Sequence, residues 1–395
     1  MVLQKLKNKI ARSESVDNSL SGEGVEEIDS DNQSILLGII SQLRPGCDLS
    51  RITLPTFILE KKSMLERITN AFLTPGILIE ANHTEDETER FMLIVKWYLS
   101  GWHIAPKAVK KPLNPVLGEI FSCYWNDIPE GREAFYIAEQ TSHHPPESSY
   151  FYLMPEQRIR ADGVLIPKSK FLGNSSAAMM EGIARLTLGM HDCETYTVTQ
   201  PNIYCRGILF GKLRYELGDH MLIKCEKTGL EADIEFKTKG FISGEYDTIE
   251  GRVKRHGKQI FTITGKWNGL MEIKDYNGTR GLFYDTAKSS ICPARVKTVD
   301  EQLPNESQKL WQSTILALDK GDHELATKEK FDVEDKQRQE AKLRNENGEE
   351  FVPLLFTKNL ADGDDIPFII KARIDVASDS PSTMVSKLFD LHRIK

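Results

Sequence analysis

The sequence contains no apolar run long enough to cross a bilayer, no paired-cysteine motif and no surplus of positive charge. The longest apolar stretch, Phe91 to Ala105, is interrupted by Lys96 and falls short of the roughly 20 residues a transmembrane helix needs. Met1 to Arg12 carries lysines but no apolar core, so it does not read as a secretory signal. The net charge of −7 argues against a general nucleic-acid binder, which needs a basic footprint, but it is compatible with a local basic patch facing a membrane. Cys47, Cys123, Cys193, Cys205, Cys225 and Cys292 are scattered, with no C-x-x-C pair and no histidine at metal spacing. They are expected to be reduced thiols of a cytosolic protein, and neither a metal nor a cofactor is expected. No G-x-S-x-G elbow, Walker loop, H-E-x-x-H or dinucleotide glycine fingerprint occurs, so the expectation is not an enzyme.

The hydropathy pattern changes twice along the chain. Ser13 to Asp31 holds seven carboxylates and no basic residue, the composition of a flexible acidic tail. Ser34 to Leu43 is short and apolar and reads as a brief helix capped by Ser34, stopped by Arg44-Pro45-Gly46. A longer helix is predicted over Glu85 to Ser100, with Phe91, Leu93, Ile94, Trp97 and Tyr98 on one side. The proline-rich segment Pro106 to Pro115 can be neither helix nor central strand. From about Tyr124 to Asp285 the period becomes two, most clearly in Leu230 to Lys237. Turns are expected at Gly218-Asp219, Thr228-Gly229, His256-Gly257 and Asn277-Gly278. So many short hairpins close most economically into a barrel, which removes exposed edges and encloses either side chains or a ligand. Helices return over Asn305 to Lys320 and His323 to Arg344, followed by a less regular C-terminal part.

Three segments could carry chemistry. In Glu139-Gln140-Thr141-Ser142-His143-His144-Pro145-Pro146, two histidines precede two prolines that hold the chain extended. Neighbouring side chains of an extended segment point to opposite faces, so both histidines reach one target only across a bend. The pair could donate to a phosphate monoester, or it could be a turn with one core and one exposed histidine. In Lys110-Lys111-Pro112-Leu113-Asn114-Pro115, prolines bracket a cation and an amide, which suits either anion binding or a solvated loop. Lys336, Glu340 and Arg344 stand at i, i+4 and i+8, on one helical face over roughly 12 Å. An ordinary self-paired surface helix gives the same pattern.

Taken together, these segments resemble the signatures of the oxysterol-binding-protein-related family. Glu139 to Pro146 is similar to its first motif, Lys111 to Glu119 to its second, and the Lys336, Glu340, Arg344 triplet to its third. The resemblance implies a mainly β fold with α elements: a large incomplete antiparallel β-barrel with a central lipid tunnel, an N-terminal lid and C-terminal helices. The implied organisation is an acidic tail over 1–33, a lid over 34–60, a helical segment and proline-rich motif over 61–120, a barrel over 121–295 and a C-terminal helical region over 296–395. Residues 34–395 would form one lipid-binding domain. The family's shared ligand is phosphatidylinositol 4-phosphate. Carried over, His143, His144 and Arg344 would hold its 4-phosphate, Lys111 and Lys336 the remaining negative charge, and Asn114 and Glu340 the ring hydroxyls.

Gly46 to Glu60, which includes Leu54-Pro55-Thr56-Phe57-Ile58-Leu59, resembles the lid of the phosphatidylserine-carrying branch, and Pro167 to Ser175 also looks like that branch. Leu54 to Leu59, Asn114 and Ser169 are the implied phosphatidylserine contacts. With no pleckstrin-homology or ankyrin segment before the barrel, the chain resembles the short stand-alone members. The expectation is an exchanger of phosphatidylserine for phosphatidylinositol 4-phosphate between anionic membrane surfaces. It would be cytoplasmic, peripheral at contacts between endoplasmic reticulum and plasma membrane, with no nucleic-acid partner. The alternatives are a lipid-regulated sensor or scaffold and a sterol/phosphatidylinositol 4-phosphate carrier of the same family.

Overall fold

A computed structural model describes residues 44–47, 55–104, 110–129, 132–208, 213–240, 244–361 and 363–391. The acidic tail, the short helix expected over Ser34 to Leu43 and Leu54 lie outside the described residues. Strand β1 (Leu59–Ser63) pairs in parallel with β2 (Lys111–Leu113). The proline-rich segment thus supplies half of a two-stranded piece rather than a central strand, as a residue without an N–H requires.

The region of period two forms one sheet of 13 strands. Its members are β3 (Ile120–Ile128), β4 (Arg132–His143), β5 (Pro146–Met154), β6 (Ile159–Phe171), β7 (Ser175–Leu188), β8 (Glu194–Val198), β9 (Asn202–Arg206), β10 (Arg214–Cys225), β11 (Leu230–Lys237), β12 (Thr248–Arg255), β13 (Lys258–Lys266), β14 (Leu270–Asp275) and β15 (Arg280–Asp285). All pairings in it are antiparallel, and β3 and β15 form its two ends, so the barrel is incomplete. In β11 the apolar Leu230, Ala232, Ile234 and Phe236 are buried and the charged residues between them half-buried, which is the alternation of a sheet wet on one face. His256 and Gly257 both have positive φ, at 48° and 78°, and close the β12–β13 hairpin with the twist a two-residue turn needs.

Gly218-Asp219 departs from expectation: it is a bend within β10, not a turn. Arg214 to Gly218 pairs with β9, while Asp219 to Cys225 pairs with β11. Asp219 takes φ 66°, and a Cβ on Gly218 would stand 2.6 Å from the Tyr204 ring. Turn composition here marks a change of partner strand. Pro167 sits well inside β6, but β6 pairs with β5 only from Ile159 to Leu165 and continues against β7 alone, so the missing N–H costs no ladder bond to β5.

Helix α1 (Pro75–Asn82) and helix α2 (Glu87–Ser100) pack against the inside of the sheet. Asp86 caps α2 by accepting from the N–H groups of Thr88 and Glu89, both at 2.9 Å, which moves its start two residues past the expected Glu85. The expected one-sided burial is exceeded: from Arg90 to Ser100 every residue but Lys96 is buried. A curved sheet surrounds a helix on more than one side. Arg90 is buried there because Glu194 of β8 holds it in two bonds of 2.8 and 3.0 Å, and the carbonyls of Thr84 and Glu85 accept from its Nη1.

Helix α3 (Gln312–Asp319) follows a turn of helix at Ser307–Leu310, with a kink at Trp311, so the helix expected over Asn305 to Lys320 is in two parts. Helix α4 (His323–Asn347) is capped by Asp322 and ends at Gly348 with φ 68°. Beyond it, β16 (Phe356–Lys358), β17 (Phe368–Ile370) and helix α5 (Pro381–Leu391) cover the outer face of β4 and β5, where Ile137, Phe151 and Leu153 meet Ile370, Met384 and Leu388. No helix among the described residues is long and apolar enough to cross a membrane.

Candidate functional site

A cavity of about 1720 Å³ runs between the inner face of the sheet and the helices. Its walls are apolar and aromatic, with Trp97, Tyr98, Tyr150, Leu186, Val198 and Ile203 among them. Its rim carries Lys111, Asn114, His143, His144, Ser169 and the inward face of α4.

The histidines form the β4–β5 hairpin. His143 is the last residue of β4 and pairs across with Pro146, the first of β5. Ser142 Oγ donates to the Pro145 carbonyl at 2.7 Å and closes the turn. This tight reversal supplies the bend that an extended His-His pair lacks: the two rings lie edge to face with centroids 4.7 Å apart, and both line the cavity. His144 is exposed. His143 is half-buried, and burial lowers its pKa; the neighbouring His144 lowers it further, while Glu334 opposes. Its Nδ1 is buried with no hydrogen-bond partner among the described residues, at a cost of about 1–3 kcal/mol.

Lys111 and Asn114 are exposed at the rim, on the loop that β2 fixes against β1. Two glutamates of the same motifs serve structure instead. Glu119 accepts from Ser63 Oγ, Ser307 Oγ, Trp311 Nε1 and the Val116 N–H, at 2.5, 2.7, 2.9 and 3.1 Å. Complete burial pushes its pKa up, against those four donors. Glu139 accepts from the N–H groups of Leu354 and Leu355 at 2.6 and 2.7 Å and ties the C-terminal segment to the sheet.

Of the expected triplet on helix α4, only Arg344 lines the cavity. Lys330, Glu334, Gln337, Arg338, Ala341 and Arg344 line the cavity; Lys336 and Glu340 do not and are exposed. At about 100° per residue, Lys336 stands about 100° round the helix from Gln337, and Glu340 about 100° from Ala341, to the side of the lining face. Lys330, Glu334 and Arg338 repeat the i, i+4, i+8 spacing of the Lys336 triplet, so spacing alone could not choose between the two registers. Ala326 and Val333 pack against α3 and β1, but Glu340 follows Val333 by seven residues and lies near the same side, so this apolar stripe does not separate the two triplets either. Glu334 pairs with Lys330 and lies 3.7 Å from Arg338, and Arg344 stacks 5.7 Å from the Phe351 ring.

Of the expected lid contacts, Ile58 and Leu59 line the cavity, while Pro55, Thr56 and Phe57 do not. Thr56 Oγ1 donates to the His323 carbonyl at 3.2 Å and meets its Nδ1 at 3.3 Å, and Phe57 packs edge-on to that ring at 6.1 Å. These residues anchor the segment on the start of α4. Lys110 Nζ donates to the Phe57 carbonyl at 3.1 Å.

Residues 38–317 match the family model described as oxysterol-binding protein. The chain is 58% identical over 369 residues to oxysterol-binding protein-like protein OBPa of Candida albicans, covering 92% of this chain and 85% of that one. It is 53% identical over 381 residues to oxysterol-binding protein homolog 6 of Saccharomyces cerevisiae, covering 94% and 84%. Among solved structures, the Osh1 ORD domain in complex with cholesterol superposes with a TM-score of 0.73 at 22% identity, over 97% of this chain and 96% of that one. The Osh3 ORD in complex with PI(4)P from Saccharomyces cerevisiae superposes with a TM-score of 0.66 at 21% identity, over 97% and 99%.

Proposed function

The chain belongs to the oxysterol-binding protein family, and on that premise we propose that it is a lipid transfer protein that exchanges phosphatidylserine for phosphatidylinositol 4-phosphate between membrane surfaces. The observation that carries the reading is an apolar cavity whose rim is lined by Lys111, His143, His144, Lys330, Arg338 and Arg344. Its volume of about 1720 Å³ exceeds the roughly 300–1,000 Å³ of ordinary small-molecule pockets. Two acyl chains bring many methylenes, each worth about 0.8 kcal/mol when kept from water, and a large dry cavity is what a carrier of such a lipid needs. The cations at the rim suit an anionic headgroup. Lys111, His143, His144 and Arg344 are its proposed contacts, joined by Lys330 and Arg338 in place of Lys336. Asn114 and Ser169 are left for the smaller headgroup of phosphatidylserine.

One cavity that holds either lipid, but not both, makes exchange obligatory. A phosphatidylinositol 4-phosphate gradient would then drive phosphatidylserine the other way. The relative solved with PI(4)P supports the choice of counter-ligand, and the one solved with cholesterol keeps a sterol carrier as the competing reading. The test is two-way transfer between liposomes. Phosphatidylserine movement should accelerate when the acceptor liposomes contain phosphatidylinositol 4-phosphate. Transfer of sterol but not of phosphatidylserine would overturn the proposal. Lipid binding without net transfer would favour a sensor or scaffold.

A further inference from the structure

Three segments of the rim meet at one amide. Gln337 lies on the inward face of α4, is 8% exposed and lines the cavity. The Leu117 N–H, on the proline-rich loop, donates to Gln337 Oε1 at 2.6 Å. A backbone N–H can only donate, so the amide oxygen is the atom that faces Leu117 and the NH₂ group faces away from it. That NH₂ lies 3.1 Å from His143 Nε2. An amide NH₂ donates and does not accept, so His143 Nε2 must be the acceptor and carries no proton. The proton of the neutral ring is then on Nδ1, the atom that has no partner among the described residues.

We propose that Gln337 is a positioning residue of the headgroup site: it holds His143 in the Nδ1–H tautomer and fixes that ring at the cavity rim. A histidine without such a partner exchanges between both tautomers. The same amide fixes the relative position of three headgroup segments: the proline-rich loop, the histidine hairpin and α4. The inference rests on the reading that this rim binds a phosphorylated headgroup.

The tautomer is measured directly. In protein labelled with ¹⁵N-histidine, two-bond ¹H–¹⁵N correlations report which ring nitrogen is protonated, and His143→Gln identifies the resonances. At neutral pH wild-type His143 should show a protonated Nδ1 and a bare Nε2. Gln337→Met, close in size but without the amide, should lose that preference, and extraction of phosphatidylinositol 4-phosphate from phosphatidylcholine vesicles should fall about ten-fold. Gln337→Glu keeps an oxygen for the Leu117 N–H and places a second oxygen at His143, so Nε2 should become protonated. This second variant keeps the test valid if Gln337→Met folds poorly. A protonated Nε2 in the wild type, or Gln337→Met with unchanged tautomer and unchanged extraction, would overturn the proposal. If His143→Gln itself extracts phosphatidylinositol 4-phosphate normally, the headgroup reading fails, and the proposal with it. If only Gln337→Met extracts normally, the headgroup reading stands and the role of Gln337 falls.

Discussion

Lys330 should matter to headgroup binding far more than Lys336, although both are lysines on the same helix six residues apart. Lys330 lies at the rim with its side chain 15% exposed and paired to Glu334. Replacing it with methionine removes a cation next to the proposed phosphate. It also leaves the Glu334 carboxylate without that partner, facing the same phosphate, so both effects act against binding. A charge-assisted bond at a mostly buried site is worth about 1.5–3 kcal/mol, which corresponds to roughly 10- to 150-fold in affinity. Arg338 is 52% exposed and also held by Asp335 at 3.0 Å, so solvent discounts its share to about 1 kcal/mol or less. Lys336→Met and Glu340→Gln change exposed side chains outside the cavity and should stay within about 0.5 kcal/mol of wild type. The assay is equilibrium extraction of phosphatidylinositol 4-phosphate from liposomes, with thermal melting run alongside. Lys330→Arg, which keeps the charge, should recover most of the loss. A Lys336→Met variant that loses as much binding as Lys330→Met would refute the helix register on which this reasoning stands.

Arg90→Met should destabilise the fold by about 3–5 kcal/mol, seen in denaturant melts, because it strands Glu194 at 2% exposure; the double variant with Glu194→Gln should recover part of that loss. Burial lowers the pKa of His143 below its usual 6.5, so the unfolded chain takes up that proton more readily than the folded one. The corresponding stability is intact above the unfolded value and is lost as pH falls from there through the lowered folded value, so His143→Gln should flatten that part of the melting profile. If Leu54 covers the bound lipid, as the lid resemblance implies, Leu54→Asp sets a carboxylate against acyl chains at a cost of several kcal/mol; a melting temperature near wild type with phosphatidylserine transfer lost is expected, and normal transfer would remove the lid from ligand selection. Deleting Ser13 to Asp31, with its seven carboxylates, should raise binding to phosphatidylserine-rich liposomes, less so in high salt; unchanged binding would discard the idea of charge repulsion.

Local pattern was enough for the elements whose cause is local. The period of two in Leu230 to Lys237 specifies a strand wet on one face, because side chains alternate across a pleat whatever the neighbours are. His256-Gly257 specifies a tight hairpin, because the positive φ it needs is a property of those two residues. The histidine, lysine and asparagine of the first two motifs could be named from sequence, and they line one cavity. Tertiary structure decided the rest. Whether Gly218-Asp219 turns the chain or bends a strand depended on β9 and β11 standing on either side of it. Whether Glu119 and Glu139 were ligands or anchors depended on donors up to 216 residues away in the chain. Which face of α4 meets the cavity was undecidable from a spacing that occurs twice, since periodicity fixes which residues share a face but not the direction that face points. That direction was set by how the helix packs on the rest of the fold, which brings Lys330, Glu334 and Gln337 to the cavity.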